Sequence, residues 1–166
     1  MPASLPLSPG NGSFRADGFP ESVVGRDGLP AMGTWRADDA GSTGEWISEP
    51  LASSATFLQV RVNGTLRPPA TALLLRTADG REIEPLQTNF SANDRWKRIN
   101  FSVPDGPFRI VARDTSPTDW IAFTAPVEVS RLAWIAGKVL RPPAGWIGVG
   151  LLAALVVYVL WRLRAQ

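Results

Sequence analysis

FLQVRVNG, residues 57–64, decides the fold class of this 166-residue chain. Leu58, Val60 and Val62 share one face of an extended backbone while Gln59 and Arg61 point the other way, the period-two pattern of a half-buried strand. FRIVARD, 108–114, repeats it, with Phe108, Ile110 and Ala112 opposing Arg109, Val111 and Arg113. ALLLRTADGREIEP, 72–85, places Ala-Asp-Gly between two strand-like runs, a hairpin signal. Further segments of β composition, separated by Gly, Pro, Asn and Asp, predict strands over 13–19, 31–37, 45–50, 56–62, 71–77, 81–85, 96–103, 108–114 and 120–124. No amphipathic helix precedes residue 129. The expectation is an all-β fold, an antiparallel two-layer β-sandwich of jelly-roll-like type over residues 13–128.

The ends of the chain differ from this middle. MPASLPLSPGNG, 1–12, lacks the cationic start and apolar core of a secretory signal peptide and reads as an extended arm. Between residues 142 and 161 there is no charged residue. A helix there would be roughly 30 Å long at about 1.5 Å per residue, enough to cross a hydrocarbon core. Trp146 near one end and Tyr158 and Trp161 near the other suit an aromatic belt, with Arg162 and Arg164 anchoring the far side. The segment 142–166 is therefore expected to be a single transmembrane helix with a short basic tail; a buried core helix is the alternative. Ala144 with Gly148, and Gly150 with Ala154, form small-xxx-small pairs that let another helix approach closely.

Between sandwich and span lies a linker, 129–141. Within it SRLAWIAGKVL sets Leu132, Ile135, Ala136 and Val139 at helical spacing behind a potential Ser130 cap. Two prolines then favour an elbow. Trp134 suits the lipid headgroups, which predicts a short interfacial helix; a helix packed on the sandwich edge is the alternative reading.

Charge and composition remove several functions. All 15 acidic residues and 15 of the 17 basic ones precede residue 142, so the soluble part is formally neutral and offers no compositional support for nucleic-acid binding. Cysteine and histidine are absent, which excludes disulfides, cysteine nucleophiles, the usual zinc sites and a Ser-His-Asp triad. Four Asn-X-Ser/Thr triplets begin at Asn11, Asn63, Asn89 and Asn100, and are read as surface markers arising from turn and strand composition.

The candidate contact residues lie at predicted strand ends. Asp38 and Asp39, in GTWRADDAGSTGEWIS, and Asp114 and Asp119 occupy loops that a rigid scaffold presents to solvent. Glycoside hydrolysis needs two carboxyl groups about 5 to 10 Å apart across a cleft. Aspartates at strand ends also serve turn chemistry, bonding nearby backbone N–H groups. Oxygen ligands from Asp38, Asp39 and Ser42 would suit Ca2+, although their spacing is not that of an EF-hand loop, and no cofactor is expected. Trp35, Trp46, Trp96 and Trp120 are the richer signal, because an exposed indole stacks on a sugar ring or a partner surface. At least two of these four are expected to fill the core.

GEWISEPL, 44–51, and VARDTSPTDWIAFTAPVEVSRLAWIAGKVL, 111–140, resemble the galactose-binding-like β-sandwich domain found beside transmembrane segments in bacterial envelope proteins. The resemblance rests on a Trp/Gly-rich start, a Ser-Glu-Pro strand end, and Asp114, Trp120 and Pro126 leading into a membrane helix. It implies a periplasmic domain, where the flanking charges, Arg131, Lys138 and Arg141 against Arg162 and Arg164, leave a cytoplasmic domain with a C-terminal anchor as the alternative. Ligands of such domains, where present, bind at loops on one end of the sandwich, such as 38–44 and 114–119. With one span and no catalytic glycosyltransferase segment, it implies no transferase activity. The expected function is a non-enzymatic, membrane-anchored module contacting envelope glycan or a protein partner through Trp35, Asp38, Asp39, Trp46, Asp114, Asp119 and Trp120. The alternative is an accessory subunit of a larger respiratory, photosynthetic or transport complex in the bilayer, packing through its helix against other membrane subunits.

Overall fold

The computed structural model describes residues 13–21, 24–37 and 42–139, apart from the side chains of 93, 94 and 137–139. The strands run in chain order β1 (Ala31–Gly33), β2 (Gly44–Ile47), β3 (Phe57–Leu66), β4 (Thr71–Thr77), β5 (Glu82–Ile83), β6 (Phe90–Ser102), β7 (Phe108–Asp114), β8 (Ile121–Thr124) and β9 (Val127–Val129). One helix follows, α1 (Arg131–Val139). The chain divides at residue 130 into two units, the first holding every strand and the second holding α1.

Two antiparallel sheets face each other. A five-stranded sheet has the order β1-β8-β3-β6, with β9 also paired to β3, and a four-stranded sheet has the order β2-β7-β4-β5. The alternation that predicted these strands also fills the space between them: Leu58, Val60 and Val62 from β3 meet Leu73 and Leu75 from β4 and Phe108, Ile110 and Ala112 from β7 in one core. Trp46 and Phe14 close that core against Phe123, with ring centroids 5.3 and 6.0 Å away. Burial on this scale, at about 25 cal/mol per Å2 of apolar surface, is what holds the layers together.

β3 continues past its predicted end. Asn63-Gly64 is a turn-like dipeptide, yet the strand runs through it as a bulge, the pairing with β6 slipping between Val62 and Gly64. Gly64 adopts φ +78°, and a Cβ there would lie 2.3 Å from the Trp120 carbonyl oxygen and 2.7 Å from its indole. Only glycine accommodates both conditions.

A polar tie joins the sheets at one end. The Thr34 hydroxyl donates to Asp114 Oδ2 at 2.6 Å, and Thr34 Oγ1 accepts the Ile121 N–H at 3.1 Å, so β7 is fastened to β8 through one buried threonine. On the outer face of the four-stranded sheet, Arg76 and Arg113 share Glu45 and Glu82 in an ion lattice that reaches β2, β4, β5 and β7. Beneath it Ala72, Leu74 and Val111 form a small buried cluster, so Val111 is apolar cover for the outer face and not a solvent-facing strand position.

Other predicted boundaries shift for local reasons. Residues 13–19 make a single bridge, Arg15 to Gly33, and then turn, in place of a strand. β9 was not anticipated. Helix α1 forms within the predicted 130–140 segment and leaves Leu132 80% and Ile135 43% exposed. Among the described residues no helix is long and apolar enough to cross a membrane. The predicted span, 142–161, lies outside the described residues.

Candidate functional site

The outer face of the five-stranded sheet carries its own aromatic cluster. Alternation turns Ala31, Ala122 and Trp96 away from the main core, and Phe19 folds over them, with Trp120 packed alongside. The Phe19 ring meets the Trp96 indole edge-on, centroids 5.4 Å apart. Such a pair contributes about 0.5–1.5 kcal/mol beyond its area.

Phe19 reaches this position because two glycines let backbones touch. The Arg15 N–H donates to the Gly33 carbonyl and the Gly33 N–H to that of Arg15, both at 2.9 Å, while the Trp35 N–H donates to the Gly18 carbonyl at 3.1 Å. A Cβ on Gly18 would sit 1.9 Å from the Gly33 oxygen, and one on Gly33 would sit 2.2 Å from the Gly18 oxygen. Residues 15–19 thus lie against β1, and residues 24–27 against β6 and Arg61 of β3, the two stretches forming a strap. Its far end is held by the Trp96 N–H, which donates to the Val24 carbonyl at 3.0 Å. Arg61 fixes the strap from below. Its side chain, only 12% exposed, donates to the Gly25 carbonyl and to Asp27.

Between strap and sheet lies a cleft of about 690 Å3, lined by Asp17, Phe19, Glu21, Arg26, Trp35 and Trp96. Trp35 is half-buried two residues past the end of β1, and Trp96 contributes a buried indole from β6. Arg26 holds its guanidinium 5.1 Å from the Phe19 ring centroid. Asp17 is exposed and pairs with Arg15 at 2.6 Å, and Glu21 is exposed. The cleft combines an accessible indole with two carboxylate acceptors and a guanidinium donor, the set a ring bearing several hydroxyls requires: an apolar face to stack on and charge-assisted hydrogen bonds around its edge.

Of the predicted contact residues that are described, only Trp35 lines this cleft. Asp38 and Asp39, and with them the proposed Ca2+ loop, lie outside the described residues. Trp46 is corrected: at 3% exposure it is a core residue against Phe123, with no face left for a ligand. Trp46 and Trp96 are thus two buried indoles among the four. Asp114 is corrected as well, since it is wholly buried and accepts hydrogen bonds from Thr34 and from the Ser116 N–H at 3.1 Å. Burial holds its carboxyl above the ordinary aspartate value, partly offset by those two hydrogen bonds. Asp119 is half-buried and shapes the 115–120 loop, its N–H donating to Ser116 Oγ at 2.9 Å and its carboxylate accepting from Thr65 and Ser116 at 3.3 Å. Trp120 packs over Gly64 at the margin of the outer aromatic cluster.

Trp134 is half-buried on α1. Trp146, Tyr158, Trp161, Arg162 and Arg164, with the packing residues Ala144, Gly148, Gly150 and Ala154, lie outside the described residues. Among the described residues no three acidic side chains converge to hold a metal ion.

The sequence reading did not select Phe19, Glu21, Arg26 or Asp17. Their only signal was the glycine pair, and Gly18 and Gly33 look like ordinary turn residues until their backbones are seen to touch. No protein-family model matches this chain, and no curated protein sequence matches it.

Proposed function

We propose that this chain is a non-enzymatic binding module, tethered to a membrane by the apolar run 142–161, whose strap cleft takes a glycan of the cell envelope. The observation that carries the reading is the accessible Trp35 indole set beside Phe19 and Trp96 and among Asp17, Glu21 and Arg26. Contact shifts from the loops at the sandwich end to the outer face of the five-stranded sheet. The five-on-four antiparallel arrangement supports the jelly-roll-like, galactose-binding-like reading of the fold, and the exposed Leu132 and Ile135 of α1 support an interfacial helix leading into a bilayer. A periplasmic position of the sandwich accords with an envelope ligand.

The test is titration of the full chain with a panel of purified envelope oligosaccharides, followed by intrinsic tryptophan fluorescence. Saturable quenching is expected for at least one of them. Trp35→Ala should weaken its binding at least fivefold, since truncating a central aromatic anchor costs at least about 1 kcal/mol. Fluorescence unchanged by every oligosaccharide would reject the glycan. The exposed apolar residues of α1 favour one second reading, an accessory subunit packed in a membrane complex; comigration with other membrane proteins on a native gel, together with silent titrations, would select it.

A further inference from the structure

Among the described residues the four-stranded sheet has an open side, which only Ser13 approaches, at Thr43 and Gly44. In its order β2-β7-β4-β5, β2 is an edge strand. The Ser48 N–H donates to the Ile110 carbonyl at 2.9 Å, so in the β2–β7 register Gly44, Trp46 and Ser48 turn their backbone groups toward β7. Glu45 and Ile47, one residue out of phase, turn theirs away from the sheet. Among the described residues nothing pairs with these N–H and C=O groups, and both residues are exposed. The edges of the five-stranded sheet are partly covered, β1 by Arg15, and β6 by Val24 at Trp96 and by Leu86 and Gln87 at Asn100, while β5, the other edge of the four-stranded sheet, is only two residues long. Unpaired strand edges template the pairing of another chain.

The surface beside β2 specifies what kind of chain. Ile47, 43% exposed, borders a cleft of about 530 Å3 with Pro50 and Pro107, and Arg109 lies on its rim. Arg109 Nη1 donates to the Ser48 carbonyl at 2.8 Å, which carries the guanidinium from β7 across to the edge strand itself. An added strand would lie about 4.8 Å further out, within reach of that charge. Arg109 makes no ion pair with a described carboxylate, Glu49 included, whereas Glu45 is neutralised by Arg76 at 3.0 Å and Arg113 at 3.5 Å. The edge thus presents an unmatched cation next to an apolar recess.

We propose that β2 accepts an extended segment of a partner protein by strand addition, the segment carrying an apolar residue opposite Ile47 and an acidic residue two positions away facing Arg109. Main-chain hydrogen bonds to Glu45 and Ile47 supply affinity, and the alternate side chains supply selectivity. This surface belongs to the four-stranded sheet and is independent of the strap cleft.

The probe is a ten-residue peptide of alternating Val and Thr, with one Glu two positions from a central Val, and its Glu→Lys counterpart. Amide hydrogen exchange of the full chain is followed with each. The acidic peptide should slow exchange at Glu45 and Ile47 at least tenfold while the lysine peptide leaves it within twofold. Ile47→Pro removes the outward N–H without touching the β2–β7 ladder and should abolish the protection. Ile47→Val keeps the donor and should retain it, which separates a lost hydrogen bond from a misfolded variant. Equal protection by both peptides, or none by either, overturns the proposal. So does protection of both amides without peptide together with dimers in sedimentation, since that would assign the edge to a second copy.

Discussion

Replacing Gly18 by alanine isolates the contact on which the cleft depends. Gly18 lies outside the left-handed region, so alanine meets no dihedral penalty there; the cost is the Cβ placed 1.9 Å from the Gly33 carbonyl oxygen and 2.4 Å from its carbon. Backbone cannot move aside as a flexible side chain would, so the strap must lift. Lifting breaks the two Arg15–Gly33 hydrogen bonds and the Trp35–Gly18 one, at about 1 kcal/mol each. It also exposes part of Phe19, now 8% accessible, adding up to about 2 kcal/mol. The expected loss is therefore about 3 to 5 kcal/mol, bounded above by what the strap contributes. At roughly 3–6 °C per kcal/mol for a domain of this size, melting should fall by at least about 10 °C. Gly80→Ala is the control, because Gly80 has φ +84° and nothing within 4 Å of its added Cβ. It carries only the left-handed strain, about 1–2 kcal/mol. Calorimetry gives the two melting points, and hydrogen exchange shows whether residues 15–35 open ahead of the core. Gly18→Ala melting within 2 °C of the parent would refute the close-contact reasoning.

Two further outcomes follow from the same geometry. Gly64→Ala combines φ +78° with a Cβ 2.3 Å from the Trp120 carbonyl; it should cost more than about 3 kcal/mol in urea unfolding and red-shift the Trp120 emission, and a loss under 1 kcal/mol would contradict it. For Asp114 the sign runs opposite to a salt-bridged carboxylate. Its pKa is raised by burial above the ordinary 3.8, so between the unfolded and folded values the native state holds more protons and stability falls as pH rises. Asp114→Asn should remove that decline in unfolding free energy measured from pH 3 upward, and an unchanged slope would show that another group causes it.

How much could be read in the sequence depended on how local each feature was. β4 and β7 match their predicted bounds because alternation is a property of consecutive residues and burial follows it directly. β3 was cut short at Val62 because Asn-Gly has the composition of a turn, and nothing local says that Trp120 will occupy the space a turn would need. Trp46 and Trp35 are alike in sequence, each near a strand end with glycine close by. Their fates diverge through parity: Trp46 shares the inward face that Ser48 continues, while Trp35 follows β1 after its last inward residue, Met32. Asp114 was read as a loop residue, although it continues the inward series Phe108, Ile110, Ala112. Extending that parity by two positions would have placed it in the interior beforehand.

The glycine pair explains why the candidate site was harder to see than the fold. Strand alternation tolerates substitution, since many apolar residues fill an inward position. The strap depends on two residues 15 positions apart having no side chain at all, and on Arg61 finding Asp27 across the sheet face. Arg61 makes the stronger case that the strap belongs to the folded state. Its guanidinium, 12% exposed on an outward strand position, donates to the Gly25 carbonyl and to the exposed Asp27, and lifting the strap would exchange these charge-assisted hydrogen bonds for water. The sheet therefore favours the strap in place, and with it the cleft that brings Phe19 and Arg26 beside Trp35. A ligand entering there meets a site already formed and does not bear the cost of ordering it.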